Sequence, residues 1–329
     1  AYNRLPEGRT YFHNDLLKKI DTTTLLDTPV EAPADLDHAS MAQAIIVVKN
    51  TMVLTARETD PCTYMDEHSF RLYQLERGIS IAIYGMVPSR QMPLESYVGY
   101  TAFKNGYPVA YGGAWIFGAR ANFGINIFTP YRSGESAFVM AQLLRLYRHV
   151  FDIRYFEVEG YQFGLNNPEG IASGAFWFYY RFGFRPMDKQ LKAIALREEQ
   201  KIKARKGYKT SHKVLVELTG SNIALALDRK IPQNVPDIAI RVTQMIRRHY
   251  GGDRLMAENE CRMRFLRKTG IAEPATPAEN LVLTEVALWA EAMHIEAQAK
   301  LKILAAMIKV KPKDVYAYQS LLLQFYNPA

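Results

Sequence analysis

The sequence predicts an α/β (α+β) protein with a mixed, mostly antiparallel sheet flanked by helices, and with a helical extension at its C-terminal end. Three features of the chain predict this fold class. Short β-branched and apolar runs, separated by turn residues, fill positions 70–128. From 129 to 186, amphipathic helical stretches alternate with a strand. Beyond Pro186 the segments are helical and rich in lysine and arginine.

The composition restricts the class of protein. A chain of 329 residues has room for one large domain or two modest ones, and 48% hydrophobic and 22% charged residues are typical of a globular protein. The two cysteines, Cys62 and Cys261, are too far apart in sequence for a disulfide framework or a zinc ribbon. No signal peptide and no apolar run of membrane-spanning length is visible. We therefore expect a cytoplasmic protein that holds no metal and does not enter a membrane.

The basic charge of the chain favours an acidic partner. The formal net charge is +8 and the pI is about 9.2. Nine lysines and arginines lie between Lys189 and Lys213, and further basic clusters lie at Arg247-Arg248 and at 262–268. A solvated helix face explains each cluster by itself. Together they also suit a nucleic acid, although no recognition motif accompanies them.

The pattern divides the chain into an N-terminal helical lead-in at 1–69, an α/β core at 70–218 and a C-terminal helical region at 219–329. In the lead-in we expect a helix at 40–56 with Ser40 as its cap. Asn105-Gly106 predicts a tight hairpin, and Gly112-Gly113 a bulge or a close backbone approach. The expected strands of the core before position 130 are 78–86, 96–103, 109–117 and 121–128.

Towards the C-terminus the pattern becomes helical, with turn residues such as Gly251-Gly252 between the segments. We expect a helix at 189–206, a strand at 212–218, and helices at 236–250, 253–268, 277–293, 297–308 and 314–326.

A polar turn between the strand at 121–128 and the next helix is a candidate phosphate site. The start of a helix has unpaired backbone N–H groups and a positive dipole end, so it can hold a pyrophosphate. The turn brings Arg132, a fixed positive charge, and the hydroxyls of Ser133 and Ser136 to this point. An ordinary capped turn between a strand and a helix is an equally good interpretation.

The segment 70–186 resembles the acyl-donor half of the GNAT superfamily of N-acyltransferases. The family's loop reads Q/R-x-x-G-x-G/A, and here Arg132 matches its first position and Ala137 its sixth. Glu135 stands where the central glycine belongs, and Gly134 is displaced by one residue. The resemblance implies an acyl-CoA co-substrate bound by Arg132, Ser133, Gly134, Ser136 and Ala137.

The strand expected at 154–161 holds the candidate bases. In the family this strand and the preceding one part, and the acyl thioester lies in the gap. A carboxylate in the gap can take a proton from an attacking amine, so the resemblance implies this role for Glu157 or Glu159. Each of the two is also explained as a solvent-facing residue or as a partner of a nearby arginine.

The second helix of the segment carries the candidate acid. Asn167 is suited to cap it, with Pro168 at its first position. The stretch AFWFYYRFGF at 175–184 is similar to the family's A-x-x-L-Y-x-K-x-G-F ending, which implies that Tyr179 protonates the departing thiolate. The family's asparagine corresponds to Ala172, so no asparagine role is carried over. Core packing explains Tyr179 equally well.

The favoured function is therefore acyl transfer from an acyl thioester, on coenzyme A or an acyl carrier protein, to an amine. The alternative is a catalytically silent fold of the same type that serves as a binding or scaffold module, on nucleic acid through its basic helices. The helical extension is suited to self-association into a homo-oligomer. No feature of the sequence identifies the acceptor or the acyl group.

Overall fold

The computed structural model describes residues 4–5, 10–13, 17, 20–57, 59–132 and 134–327. This part of the chain forms a mixed, mostly antiparallel sheet flanked by helices, so the predicted fold class is confirmed. The strands are β1 Arg71–Gln74, β2 Ile79–Tyr84, β3 Ser96–Lys104, β4 Tyr107–Phe117, β5 Arg120–Ile127, β6 Tyr155–Val158, β7 Arg185–Pro186 and β8 Ile223–Ala226. Their order across the sheet is β1-β2-β3-β4-β5-β6-β8-β7. All neighbours are antiparallel except β5 and β6, which are parallel.

Helices precede, interrupt and follow the strands. The lead-in contains α1 Thr22–Asp27, α2 His38–Leu54 and α3 Asp60–Thr63, and the middle of the chain contains α4 Ser136–Phe151, α5 Pro168–Ala172, α6 Ala175–Arg181, α7 Lys189–Ala204 and α8 His212–Leu218. The last five are α9 Val235–Tyr250, α10 Arg254–Thr269, α11 Pro277–Ala292, α12 Gln298–Val310 and α13 Val315–Tyr326. Within the described ranges, no helix combines the length and the apolar character that crossing a membrane requires.

The antiparallel part of the sheet follows the turn residues closely. Asn105 and Gly106 join β3 to β4 with φ angles of 50° and 80°, which confirms the expected hairpin. The expected close approach at Gly112 is also present, because a Cβ there would lie 2.4 Å from the carbonyl oxygen of Gly124. The one register shift between β3 and β4 falls elsewhere, between Ala102 and Phe103.

The helix α4 packs against one face of the sheet and forms the main core with it. Met140, Leu144 and Tyr147 of α4 are completely buried, and the Tyr147 hydroxyl donates to the carbonyl oxygen of Val98 in β3 at 2.8 Å. The helices α9 to α13 build a second core, which reaches the sheet at Phe117. Gln319 of α13 connects this second core to the sheet and to α4, because its side-chain amide donates to the carbonyl oxygens of Gly118 and Phe151.

Three local predictions are wrong. The segment 212–218 is the helix α8 rather than a strand, because the Ser211 side chain accepts from the Val214 N–H and starts a helical turn. The strand lies later, as β8, and it enters the sheet between β6 and β7, so the sheet extends beyond position 218.

The cap of α2 is Asp37 rather than Ser40, since the Asp37 carboxylate accepts from the Ser40 N–H. The single helix expected after Asn167 is divided into α5 and α6 by Gly174, whose φ is 68°.

Candidate functional site: a cleft beside two parting strands

The strands β5 and β6 pair over only three residues, because β6 is short and ends at Val158. The pairs are Arg120 with Tyr155, Ala121 with Phe156 and Asn122 with Glu157, and β5 then runs on to Ile127 without pairing to β6. Among the described strands, β5 therefore has no partner on that side beyond Asn122 for its backbone N–H and C=O groups. The edge of β5 beyond Asn122 is therefore open on the side of β6.

A cleft of about 620 Å³ opens along this free edge of β5. Its walls are the end of β5, the start of α4 and the helices α5 and α6, and the N-terminal segment contributes Ile20 and Thr22. The predicted site residues that line it are Arg132, Gly134, Ser136, Ala137 and Tyr179. Ser133 lies outside the described residues. The structure therefore brings the loop and the candidate acid to one cavity.

The N-terminus of α4 faces this cleft, and among the described residues no side chain caps it. Gly134 has a φ of 72°, and Glu135 precedes the helix but makes no capping hydrogen bond to it. The first-turn N–H groups of a helix have no acceptors within the helix, and its dipole is positive at this end. With Ser136 and Ala137 on the cleft wall, the helix start can hold an anionic group there.

Glu135 turns its carboxylate away from the cleft. It accepts hydrogen bonds from the Arg77 guanidinium, from Lys104 Nζ at 3.1 Å and from the Leu17 backbone N–H at 3.3 Å. Burial raises the pKa of Glu135, but the hydrogen bonds from Arg77 and Lys104 outweigh it and hold the pKa below its usual value. The carboxylate is thus ionised and neutralised on the far side of the loop. Its charge does not block the helix start.

The charge of the cleft itself is small. Arg132 donates from Nε to the Ile127 carbonyl oxygen at 3.1 Å and forms an ion pair with Glu169 of α5. Arg181 is a second guanidinium in the lining, and its Nε donates to the Trp177 carbonyl oxygen at 3.1 Å. Sequence reasoning did not select Glu169 or Arg181, because nothing in their local pattern places α5 and α6 on the cleft wall.

Tyr179 belongs both to the core and to the cleft. It is 2% exposed, and its ring packs edge to face against those of Phe178 and Phe184. Burial raises the pKa of the hydroxyl well above its usual value, and a hydrogen bond with the Ile125 backbone offsets this in part. The hydroxyl therefore stays protonated and lies at the free edge of β5, where it can act as a proton donor.

Glu157 and Glu159 do not share the cleft with Tyr179. They line a smaller cavity of about 150 Å³, which also contains Glu95 and Trp115. Strand alternation explains the separation, since Phe156 and Val158 of β6 belong to the main core beside α4, and the side chain of Glu157 points to the opposite face.

The two carboxylates differ in how firmly they are held. Glu157 forms an ion pair with Arg120 and accepts from Asn222 Nδ2 at 2.6 Å, as the alternative interpretation predicts. Glu159 is exposed and accepts a hydrogen bond from Asn122 Nδ2 at 2.6 Å. Asn122 is the last β5 residue paired to β6, so this cavity adjoins the point where the strands part.

Gln162 is a further cleft residue that the sequence did not indicate. Its amide lies against Gly124 in the free part of β5, where an added Cβ would approach Gln162 Nε2 to 3.0 Å. A glycine inside a strand is a signal for such close approach, and Gly124 carries that signal.

Among the residues that the structure describes, no group of three or more His, Cys, Asp or Glu side chains is placed to hold a metal ion. Comparison with protein-family models, with curated proteins and with solved structures finds no match for this chain.

Proposed function

We propose that the chain transfers an acyl group from an acyl thioester to an amine, with the thioester bound in the cleft along β5. The observation that carries the proposal is that β5 continues beyond the end of β6 and borders the same cleft as the start of α4. An extended pantetheine chain has amide groups that can pair with those backbone groups of β5 that have no strand partner, and its phosphate end can then reach the helix start.

The chemistry requires an electrophile, an acid and a base. The amine nitrogen attacks the thioester carbonyl carbon, a C–N bond forms and the C–S bond breaks. Tyr179 supplies the proton that the departing thiolate takes up, and the proton lost by the amine restores the tyrosine hydroxyl through the base. Glu157 is held by Arg120 and Asn222, whereas Glu159 is exposed, so Glu159 is the better candidate for that base.

Ligand-induced stabilisation provides the first test. Acetyl-CoA and an acetylated phosphopantetheine should each raise the melting temperature, because a ligand that binds the folded chain stabilises it in proportion to its concentration and affinity. The same two thioesters, mixed with a panel of amines, should release free thiol faster with the protein than without it. Absence of both effects would remove the proposal.

A matched pair of substitutions localises the effect. Ser173 lines the cleft, is exposed, and donates to the Gly170 carbonyl oxygen at 3.2 Å. Ser320 is also exposed on its helix, and its hydroxyl donates to the Tyr316 carbonyl oxygen at 3.1 Å. Ser173→Trp fills the cleft and should abolish the thermal shift, whereas Ser320→Trp should retain it.

The alternative function is a silent binding module of the same architecture, and the position of Glu157 favours it. With Glu157 engaged by Arg120, only Glu159 is left of the two predicted bases. In that case thioesters bind and stabilise the protein without any release of thiol. The basic cluster on α10 gives little support to nucleic-acid binding, since Arg262, Arg264 and Lys268 form ion pairs with acidic neighbours.

A further inference from the structure

The positive charge available for an anionic donor lies outside the cleft rather than in it. Coenzyme A carries a diphosphate and a separate phosphate monoester. The guanidinium groups lining the cleft are those of Arg132 and Arg181, and Glu169 neutralises the first of them. This net charge suits the single phosphodiester of a protein-bound phosphopantetheine arm better than the several phosphate charges of free coenzyme A.

A strongly basic surface lies on α7, α8 and the loop between them. Its exposed cations have no ion-pair partner in the described ranges: Lys189, Lys192, Arg197, Arg205, Lys206, Lys209 and Lys213. The acidic residues of α7 do not offset them. Glu198 is 3% exposed and is held by Lys201 and Tyr208, while Glu199 pairs with Lys203.

The helix α6 joins this surface to the cleft. On one side, Trp177 Nε1 donates to Thr210 Oγ1 at 3.1 Å, and the Tyr180 hydroxyl donates to Glu199 at 3.0 Å, so α6 contacts both α7 and the loop before α8. On the other side, Phe178 and Arg181 line the cleft. A partner seated on the basic surface is therefore separated from the cleft by one helix.

The surface also offers apolar contact. Leu196 of α7 is 51% exposed and Val216 of α8 is 47% exposed. Apolar side chains surrounded by charge are typical of the specific part of a protein interface, whereas a nucleic acid is held mainly through its phosphates.

Building on the proposed function, we propose that the acyl donor is an acidic acyl carrier protein that docks on the α7–α8 surface and passes its phosphopantetheine arm around α6 into the cleft. The carrier supplies the negative surface that the unpaired lysines and arginines complement. The single phosphodiester of the arm lies near Arg132, Arg181 and the start of α4, and the thioester reaches the β5 edge beside Tyr179.

Charge reversal on α7 tests the docking surface. The full chain carrying Lys189→Glu and Lys192→Glu is titrated with a fluorescently labelled octanoyl acyl carrier protein, and the anisotropy gives Kd. We expect Kd to rise about tenfold or more at low salt, because several complementary charges are reversed at once. The matched control is Arg247→Glu with Arg248→Glu on α9, where both residues are exposed, and its Kd should stay within about twofold of wild type.

A second titration shows whether the cleft survives the substitutions. Octanoyl-phosphopantetheine, which lacks the carrier, should stabilise the wild type and both double variants equally against heat. Equal stabilisation shows that the α7 variant is folded with an intact cleft, so that its loss of carrier binding is a loss of docking.

Each other outcome is decisive. Binding and turnover of octanoyl-CoA with no binding of the carrier overturns the carrier proposal and leaves the proposed function standing. Salt-sensitive retention of an RNA oligonucleotide that depends on Lys189 and Lys192, with no carrier binding, overturns it in favour of a nucleic-acid surface. If none of the three octanoyl thioesters binds (on the carrier protein, on phosphopantetheine or on coenzyme A), the proposed function fails together with the carrier proposal.

Discussion

Tyr179 is the residue at which catalysis and packing can be separated. Tyr179→Phe keeps the ring among Phe178 and Phe184 and removes only the hydroxyl, whose partner is the Ile125 backbone. We expect a loss of about 1 kcal/mol in the free energy of unfolding. If the hydroxyl is the acid, thiol release should fall by about 100-fold with binding of the thioester retained.

Tyr147→Phe is the control for that experiment. Tyr147 is equally buried and its hydroxyl is also hydrogen-bonded to the backbone, since it donates to the carbonyl oxygen of Val98, but it lies in the core under β3. A similar loss of stability with unchanged thiol release should result. Equal activity of the two variants would exclude Tyr179 from the reaction.

Glu135 predicts a pH dependence of stability. Its folded-state pKa lies below its usual value near 4.5, so its contribution is present at neutral pH and is lost as the pH falls through the folded-state pKa. Glu135→Gln should cost about 1–3 kcal/mol at pH 7, because Arg77 and Lys104 lose a charged partner. Urea titrations from pH 7 down to pH 3 should show the wild type and the variant converging. A gap that stays constant over this range would contradict the assignment.

At the scale of elements, turn residues and hydrophobic periodicity predicted those helices and strands whose formation depends on nearby residues. The Asn105-Gly106 hairpin, β5 and the helices α9 to α13 were all expected from turn residues and periodicity. The strand β8 was missed because Ile223–Ala226 is short and becomes a strand only by pairing with β6, more than sixty positions earlier in the chain. The sequence likewise showed that Glu157 and Phe156 face opposite sides, but the side on which the cleft opens depends on where α4 packs.

The close approach of β4 and β5 makes a prediction at this scale. Gly112→Ala places a Cβ 2.4 Å from the Gly124 carbonyl oxygen, so the pair must separate next to the cleft. A loss of about 2–4 kcal/mol is expected from chemical denaturation, similar to other overpacked core sites. Gly85→Ala is the control, because the nearest atom to its added Cβ is Ser69 Oγ at 3.4 Å and its φ is not positive. Equal stability of the two variants would show that the strands can move apart at no cost.

The whole molecule depends on the contact between the C-terminal helices and the sheet. Gln319 of α13 donates from Nε2 to the carbonyl oxygens of Gly118 and Phe151, at 2.6 and 2.7 Å, and the Tyr318 hydroxyl donates to the Leu94 carbonyl oxygen at 2.7 Å. These bonds join α13 to the β4–β5 turn, to the end of α4 and to the chain before β3. The C-terminal helices therefore support β5 and α4, which form part of the cleft wall.

Lys311, at the end of α12 in the same contact, gives this interface a pH dependence. It is 1% exposed, its Nζ donates to Gln91 Oε1 at 3.1 Å, and burial lowers its pKa to about 7, with Glu95 opposing the shift. Between pH 7 and its usual pKa of 10.5 the unfolded chain holds a proton that the folded chain does not, so stability rises with pH over this window. The size of the effect is on the order of 5 kcal/mol.

Replacing this lysine should remove that dependence. Lys311→Met keeps the length of the side chain without the charge, and we expect it to be more stable than wild type at pH 7 and to lose most of this advantage by pH 10. Denaturant titrations at the two pH values measure the difference, with Lys309→Met, at an exposed position of α12, as the control. Below pH 7, Lys311 should become charged and loosen the contact of the C-terminal helices with β4 and β5. Thioester binding in the cleft should therefore weaken below pH 7 in the wild type and not in Lys311→Met. An identical pH profile of binding in both proteins would show that the cleft does not depend on the helical extension.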